Sequence, residues 1–122
     1  MITEHSLYIG ASQHMTFTED NSIDLVVTSP PYPMIEMWDD VMSSQNHRIS
    51  DNLEEKPEEA FELMHQELDK VWKECFRVLK IGGFLCINIG DATRTIKGNF
   101  TLYNNHSRIS KACVDLGFVG PV

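Results

Sequence analysis

The sequence predicts an α/β domain with a mostly parallel sheet and flanking helices. Residues 23–28 and 84–89 are short apolar runs, as expected of strands buried in such a sheet. Residues 57–79 between them place apolar side chains at helical spacing, and residues 107–116 repeat that pattern before Gly117 stops the helix. Strands that alternate with helices favour parallel pairing through right-handed crossovers.

The N-terminal region is predicted to hold two strands. Residues 7–9 (LYI) form a short apolar run closed by Gly10, and a brief helix or turn is expected over residues 12–17. The run 23–28 (IDLVVT) is apolar and β-branched, which is typical of a strand buried on both faces.

The middle of the chain is predicted to be a long loop followed by a long helix. Residues 34–55 are polar and aperiodic, and loops of that length usually have a function or are disordered. Pro57 suits the first turn of a helix that continues to Leu79, and Gly82 and Gly83 are expected to end it. The predicted buried face comprises Phe61, Met64, Leu68, Val71, Trp72, Cys75, Val78 and Leu79.

Length and charge limit the possible functions. A chain of 122 residues, 42% of them hydrophobic, is long enough for one domain with its own core. Its net charge of -8 does not provide the basic surface that nucleic-acid binding usually needs, so contact with DNA would require residues from elsewhere.

Localisation and cysteine chemistry follow from what the sequence does not contain. There is neither an apolar stretch long enough for a bilayer nor a signal-peptide pattern, so we expect a cytoplasmic protein. Cys75, Cys86 and Cys113 form no Cys-x-x-Cys motif and are interpreted as core thiols, and the histidines show no ligand spacing. No metal site is therefore expected.

A candidate site lies where two predicted strands end. Ligands of open α/β sheets bind beyond the carboxyl ends of the strands, which are followed here by residues 29–32 and by Gly90 and Asp91. We call residues 29–32 (Ser-Pro-Pro-Tyr) the SPPY segment.

The SPPY segment is predicted to be a stiff acceptor of hydrogen bonds. Pro30 and Pro31 fix the backbone and restrain the residues before them, which holds Ser29 and Tyr32 in fixed relative positions. The Ser29 hydroxyl and the Pro30 carbonyl then form an acceptor pair beside an aromatic face, because an extended segment makes no internal backbone hydrogen bonds. This arrangement suits a flat group that bears an NH2, such as the exocyclic amine of a nucleobase.

Simpler interpretations stay open. The SPPY segment is also compatible with a rigid strand-ending loop or with a polyproline ligand, although the adjacent apolar run argues against the latter. Asp91 is equally suited to a turn. Trp38, Asp39 and Asp40 either line the site or belong to an ordinary polar loop.

These segments together resemble a known family. Thr28-Ser-Pro-Pro-Tyr32 is similar to the catalytic motif of amino-group DNA methyltransferases, and the resemblance extends over residues 20–27, 77–83, 87–91 and 116–118 in the same order. It implies a partial Rossmann-like methyltransferase fold, S-adenosylmethionine as methyl donor and double-stranded DNA as substrate. The serine form of the motif favours cytosine N4 as target, and adenine N6 remains an alternative.

The resemblance also implies roles for individual residues. Ser29 and Pro30 would accept hydrogen bonds from the target amine, Pro31 would keep the segment rigid, and Tyr32 would stack on a flipped base. Asp91 would contact the cofactor or the amine. Gly10 stands where relatives carry the Gly-Asp that ends the first strand and helps to bind the cofactor, but Ala11 follows it here.

The sequence departs from a complete enzyme of this family. It contains no Phe-x-Gly-x-Gly turn, and too few residues precede Ser29 to hold one with its strand and helix. The resemblance therefore implies the order in which the catalytic motif comes first, with residues 1–122 as the N-terminal part, without glycine-rich motif or target-recognition region. We expect catalysis only with a C-terminal part, on the same or a second polypeptide. The alternative is a non-catalytic remnant, for instance a homodimer that covers its sheet edge.

Overall fold

The computed structural model describes residues 1–120 and has the predicted α/β architecture. The elements are β1 (Ile23–Thr28), a 3-10 turn (Glu36–Trp38), α1 (Asp39–Gln45), α2 (Arg48–Asn52), α3 (Pro57–Val78), β2 (Leu79–Ile87), β3 (Ala92–Ile96), β4 (Asn99–Tyr103) and α4 (Asn105–Leu116). Within the described part of the chain, no helix is both long and apolar enough to cross a membrane.

The site-bearing sheet of the described chain consists of the parallel pair β1 and β2. Leu25 lies opposite Phe84 and Val27 opposite Cys86, and α3 connects the two strands. The Asn88 N–H donates to the Thr28 carbonyl over 2.9 Å, which keeps the two backbone segments together just past the strand ends.

Only one face of this sheet is covered. Val26, Leu85 and Ile87 pack against the core, whereas Leu25 is 54% and Val27 71% exposed on the other face. The prediction of a strand buried on both faces is therefore wrong for the described chain. The sequence has the apolar composition of such a strand, but residues 1–120 cover only one of its faces.

The long helix α3 lies where the sequence predicts it and supplies half of the buried apolar side chains of the described chain, although Phe61 and Val71 of its predicted buried face are only partly buried. It begins at Pro57 and buries Met64 and Trp72 completely, and α4 adds Ile109 to the same core. The helix ends at Val78, before the glycines that were expected to end it. Gly82, at φ +85°, instead lies in a bulge of β2 between two register positions.

The region 34–55 is not a loop. It contains the 3-10 turn and helices α1 and α2, which bury Met42 and Ile49 in the core. Helices of five to seven residues have one apolar anchor each, so they give no periodic signal.

The predicted first strand, residues 7–9, is absent. These residues have no regular structure, Leu7 and Ile9 are 87% and 96% exposed, and the region 12–17 contains turns only. An apolar triplet becomes a strand only when it pairs with another strand, and no strand of residues 1–120 pairs with residues 7–9.

An antiparallel hairpin, β3 and β4, was not predicted. Its turn consists of Lys97 at φ +49° and Gly98 at φ +79°, as a two-residue type I′ hairpin requires. The Lys-Gly pair between alternating residues was the available signal. The sheet is thus parallel at the site, with an antiparallel hairpin beside it.

The three cysteines differ in environment. Cys75 is buried and Cys113 half-buried, and burial raises the pKa of both thiols to about 11. Cys86 is exposed on the uncovered sheet face, so its interpretation as a core thiol is wrong. Across residues 1–120, no three His, Cys, Asp or Glu side chains are grouped as a metal site would require.

Candidate active site

The SPPY segment follows β1 directly, at the carboxyl end of the parallel sheet. Pro30 is buried, Pro31 and Tyr32 are half-buried, and Ser29 is exposed. Burial of one proline beside an exposed serine anchors the segment and leaves the hydroxyl accessible to a ligand.

The backbone just after Tyr32 is strained. Met34 has φ +69°, a left-handed conformation that is unfavourable for a bulky residue, yet its side chain is only 1% exposed. The Ile35 N–H donates to the Tyr32 carbonyl over 3.2 Å and closes the turn. Strain of this kind persists only where surrounding contacts hold the chain, and it is common at functional sites.

The two strand ends meet as the sequence predicts. A β-carbon added at Gly90 would lie 3.5 Å from Cε2 of Tyr32, so the backbone after β2 packs beside the tyrosine ring. Tyr32 and the Gly90 turn therefore belong to one site.

A buried polar network lies directly behind this site. The Asn105 side-chain amide donates to the Pro33 carbonyl over 3.0 Å and to the Gly90 carbonyl over 3.2 Å. Asn105 Oδ1 lies 2.9 Å from Nε2 of His65, and both side chains are completely buried. Because the amide oxygen only accepts, Nε2 must carry the proton. Burial lowers the pKa of His65 to about 4, so the ring is neutral.

Neither Asn105 nor His65 was predicted as a site residue from the sequence. They lie forty residues apart, and neither belongs to a recognisable motif. They meet only because α3 packs against α4, which a single sequence does not reveal.

Asp91 lies at the same edge but already has partners. Its carboxylate accepts hydrogen bonds from the His106 backbone N–H over 3.1 Å and from Nδ1 of the same residue over 2.8 Å. The hydrogen bond from the His106 ring lowers the pKa of the Asp91 carboxyl. The geometry thus holds Asp91 at the first turn of α4, where a ligand would compete with His106.

Gly10 is not part of this arrangement. It lies in the irregular N-terminal segment, and within residues 1–120 nothing beyond its chain neighbours comes within 4 Å of an added β-carbon. The strand that was expected to place it at the site is missing.

The loop residues behind the SPPY segment are more ordered than expected. Asp39 forms a two-point ion pair with Arg94 of β3 over 2.8 and 2.9 Å, and it raises the pKa of that arginine. Trp38 packs against the core, and Asp40 is exposed. The ion pair joins the hairpin to α1, so Asp39 has a structural partner.

Comparison with known proteins identifies the family. A family model described as DNA methylase, for N6 and N4 methyltransferases, matches residues 23–119, which include the SPPY segment and the Asn105 network. The chain belongs to this DNA methylase family. The predicted resemblance is therefore confirmed, whereas the choice between N4 and N6 remains open.

Two curated relatives are similar to this chain over most of its length. Type II methyltransferase M.MjaI of Methanocaldococcus jannaschii is 47% identical, covering 96% of this chain and 43% of the relative. Type II methyltransferase M.MthZI of Methanothermobacter thermautotrophicus is 48% identical, covering 97% of this chain and 34% of the relative. The chain thus spans less than half the length of these relatives.

Solved structures agree with the fold. TTHA0409 of Thermus thermophilus, described as a DNA modification methylase, is 31% identical with a TM-score of 0.68, over 95% of this chain and 42% of that one. The structure of its complex with S-adenosyl-L-methionine gives a TM-score of 0.67 over 91% of this chain and 40% of that one. The partial methyltransferase fold predicted from the sequence is confirmed.

Proposed function

We propose that this DNA methylase chain supplies the catalytic motif of an enzyme that methylates the exocyclic amine of a DNA base, cytosine N4. The observation that carries the proposal is the exposed Ser29 hydroxyl, held at the end of β1 beside Tyr32 and a buried proline. The target N4 rests on the serine at this position, and adenine N6 is the alternative.

The chemistry needs acceptors more than a strong base. Ser29 Oγ and the Pro30 carbonyl accept hydrogen bonds from the amine, which directs its lone pair away from the segment and stabilises positive charge that develops on nitrogen. The Tyr32 ring stacks on the flipped base, and such stacking is worth about 1–3 kcal/mol, enough to offset much of the cost of flipping. No covalent intermediate with the enzyme is required.

S-adenosylmethionine supplies the methyl group when bound. The residues described here fit only a part of its site. Gly10 has no packing neighbour, Asp91 is hydrogen-bonded to His106, and the sequence contains no Phe-x-Gly-x-Gly turn. The remaining contacts would come from a C-terminal part.

The uncovered sheet face supports completion by such a part. Leu25, Val27, Phe84 and Cys86 lie on this face, and the first three are 54%, 71% and 67% exposed. Parallel sheets are normally covered on both faces, and apolar patches this exposed mark interaction sites. A C-terminal part would cover this face and supply the basic residues that DNA binding requires at a net charge of -8. The isolated chain is accordingly expected to be inactive.

A non-catalytic remnant is the second candidate, favoured by the same exposed face. Two copies that pair through this face would form a homodimer without a complete site. Light scattering measures whether the isolated chain forms a homodimer. A stable homodimer would support the remnant.

The test is a chimera in which residues 1–122 replace the matching segment of M.MjaI. Incubated with S-adenosylmethionine and unmethylated genomic DNA, the chimera should yield N4-methylcytosine after digestion to nucleosides and mass spectrometry. If N6-methyladenine forms instead, only the assignment of the target base changes. A folded chimera that binds S-adenosylmethionine but forms neither product would contradict the proposal.

A further inference from the structure

We infer that Asn105, oriented by His65, is a positioning residue that fixes the SPPY segment relative to the turn after β2. The inference rests on the proposed function and assigns a positioning role in it to two further residues. It is carried by the contacts of a side chain that is completely buried and reaches both segments of the site.

Asn105 joins two backbone segments that lie beyond the hydrogen bond between Asn88 and Thr28, where the strand pairing has ended. Its amide donates to the carbonyl of Pro33, one residue after Tyr32, and to that of Gly90, which packs against the tyrosine ring. A carboxamide offers two N–H donors and an acceptor on one short side chain. Neither aspartate nor leucine supplies those two donors.

His65 holds the other end of the amide. The two carbonyls can only accept, so the amide nitrogen faces them, and Oδ1 accepts from Nε2 of His65 over 2.9 Å. His65 belongs to α3 and Asn105 to the first turn of α4. The network therefore connects both long helices to both halves of the site.

The strained backbone explains why such an anchor is needed. Met34, immediately after Pro33, is held at φ +69°. Loss of the Asn105 bond to Pro33 would let this turn relax, and the Tyr32 ring and Pro30 carbonyl would move with it. Misplacement of reacting groups by roughly 1 Å costs about 10²-fold in rate.

The experiment uses the chimera and its turnover number together with the Kd for S-adenosylmethionine. Asn105→Leu and His65→Leu should each lower kcat by about 10²-fold, with cofactor binding and the folded state unchanged. His65→Gln should restore most of the activity, because a glutamine amide can donate to Asn105 Oδ1. Asn104→Leu is the matched control, because Asn104 is exposed and its side chain makes no capping hydrogen bond.

The outcomes separate this inference from the proposed function. If the unmodified chimera folds and binds S-adenosylmethionine but transfers no methyl group, the proposed function fails and the inference fails with it. If it is active and Asn105→Leu and His65→Leu match Asn104→Leu in kcat, only the inference is overturned. If Asn105→Leu does not fold, the comparison of His65→Leu with His65→Gln decides, and equal activities in those two variants would contradict a positioning role.

Discussion

At the scale of single residues, the site combines an exposed hydroxyl with a constrained ring. Pro30 is buried and Met34 is held in a left-handed turn, so Ser29 and Tyr32 project from a segment with little freedom. The fixed positions of Ser29 and Tyr32 were predictable, because proline restricts its neighbours wherever it occurs. The contacts of Asn105 and His65 were not predictable, because they depend on how two helices pack.

The Tyr32 ring provides the first prediction. In the chimera, Tyr32→Ala should lower methyl transfer by about 5- to 150-fold, the equivalent of about 1–3 kcal/mol of lost stacking. Circular dichroism should be unchanged. Tyr8→Ala, which removes an exposed tyrosine outside the site, should have no effect on turnover. Equal activity in the two variants would remove Tyr32 from its role.

The buried His65 provides a prediction about pH. The ring stays neutral in the folded chain until pH about 4, whereas the unfolded chain takes up the proton near its ordinary pKa of 6.5. The free energy of unfolding should therefore fall as the pH is lowered from 6.5 to 4, by about 1.4 kcal/mol per pH unit from this residue.

Urea unfolding of the isolated chain at several pH values measures this effect. His65→Gln should reduce the slope between pH 6.5 and 4, and the exposed His47→Gln should leave it unchanged. A slope that is the same in His65→Gln and in the unmodified chain would contradict a buried neutral histidine.

At the scale of elements, strong patterns were predicted and weak ones were missed. β1 and α3 are long or uniform enough for their composition to determine them, and they position the SPPY segment. Helices α1 and α2 are too short for periodicity, and the β3–β4 hairpin has strands of only five residues each around a Lys-Gly turn. The apolar residues 7–9 failed as a strand because pairing, not composition, decides whether a strand forms.

The buried face of α3 allows a direct stability test. Leu68 is 5% exposed, so Leu68→Ala should lower the free energy of unfolding by about 2–5 kcal/mol. Gln66→Ala, on the exposed side of the same helix, should change it by less than about 0.5 kcal/mol. Chemical denaturation of both variants measures this difference. If Leu68→Ala is as stable as the unmodified chain, Leu68 does not lie on the buried face of α3.

At the scale of the whole molecule, the uncovered face of the sheet is the main feature. The side chains of Leu25, Val27 and Phe84 suit an interior, yet residues 1–120 do not cover them. The matching relatives are more than twice as long as the region they share with this chain. A C-terminal part that packs on this face would complete both the core and the site.

Val27→Lys tests that arrangement. In the isolated chain Val27 is 71% exposed, so the change should alter the free energy of unfolding by less than about 0.5 kcal/mol. In the chimera the lysine would be buried, and the loss should reach several kcal/mol, of the order that burying an unpaired charge costs. Equal effects in the two proteins, measured by chemical denaturation, would mean that this face stays open.

The most direct test of the central claim is methyl transfer to DNA by the chimera with and without Ser29→Ala. We predict that the unmodified chimera forms N4-methylcytosine and that Ser29→Ala lowers its turnover by at least about tenfold, equivalent to about 1.4 kcal/mol, while S-adenosylmethionine binds equally well. Unchanged turnover in a folded Ser29→Ala chimera would contradict the assignment of the SPPY segment as the acceptor of the target amine.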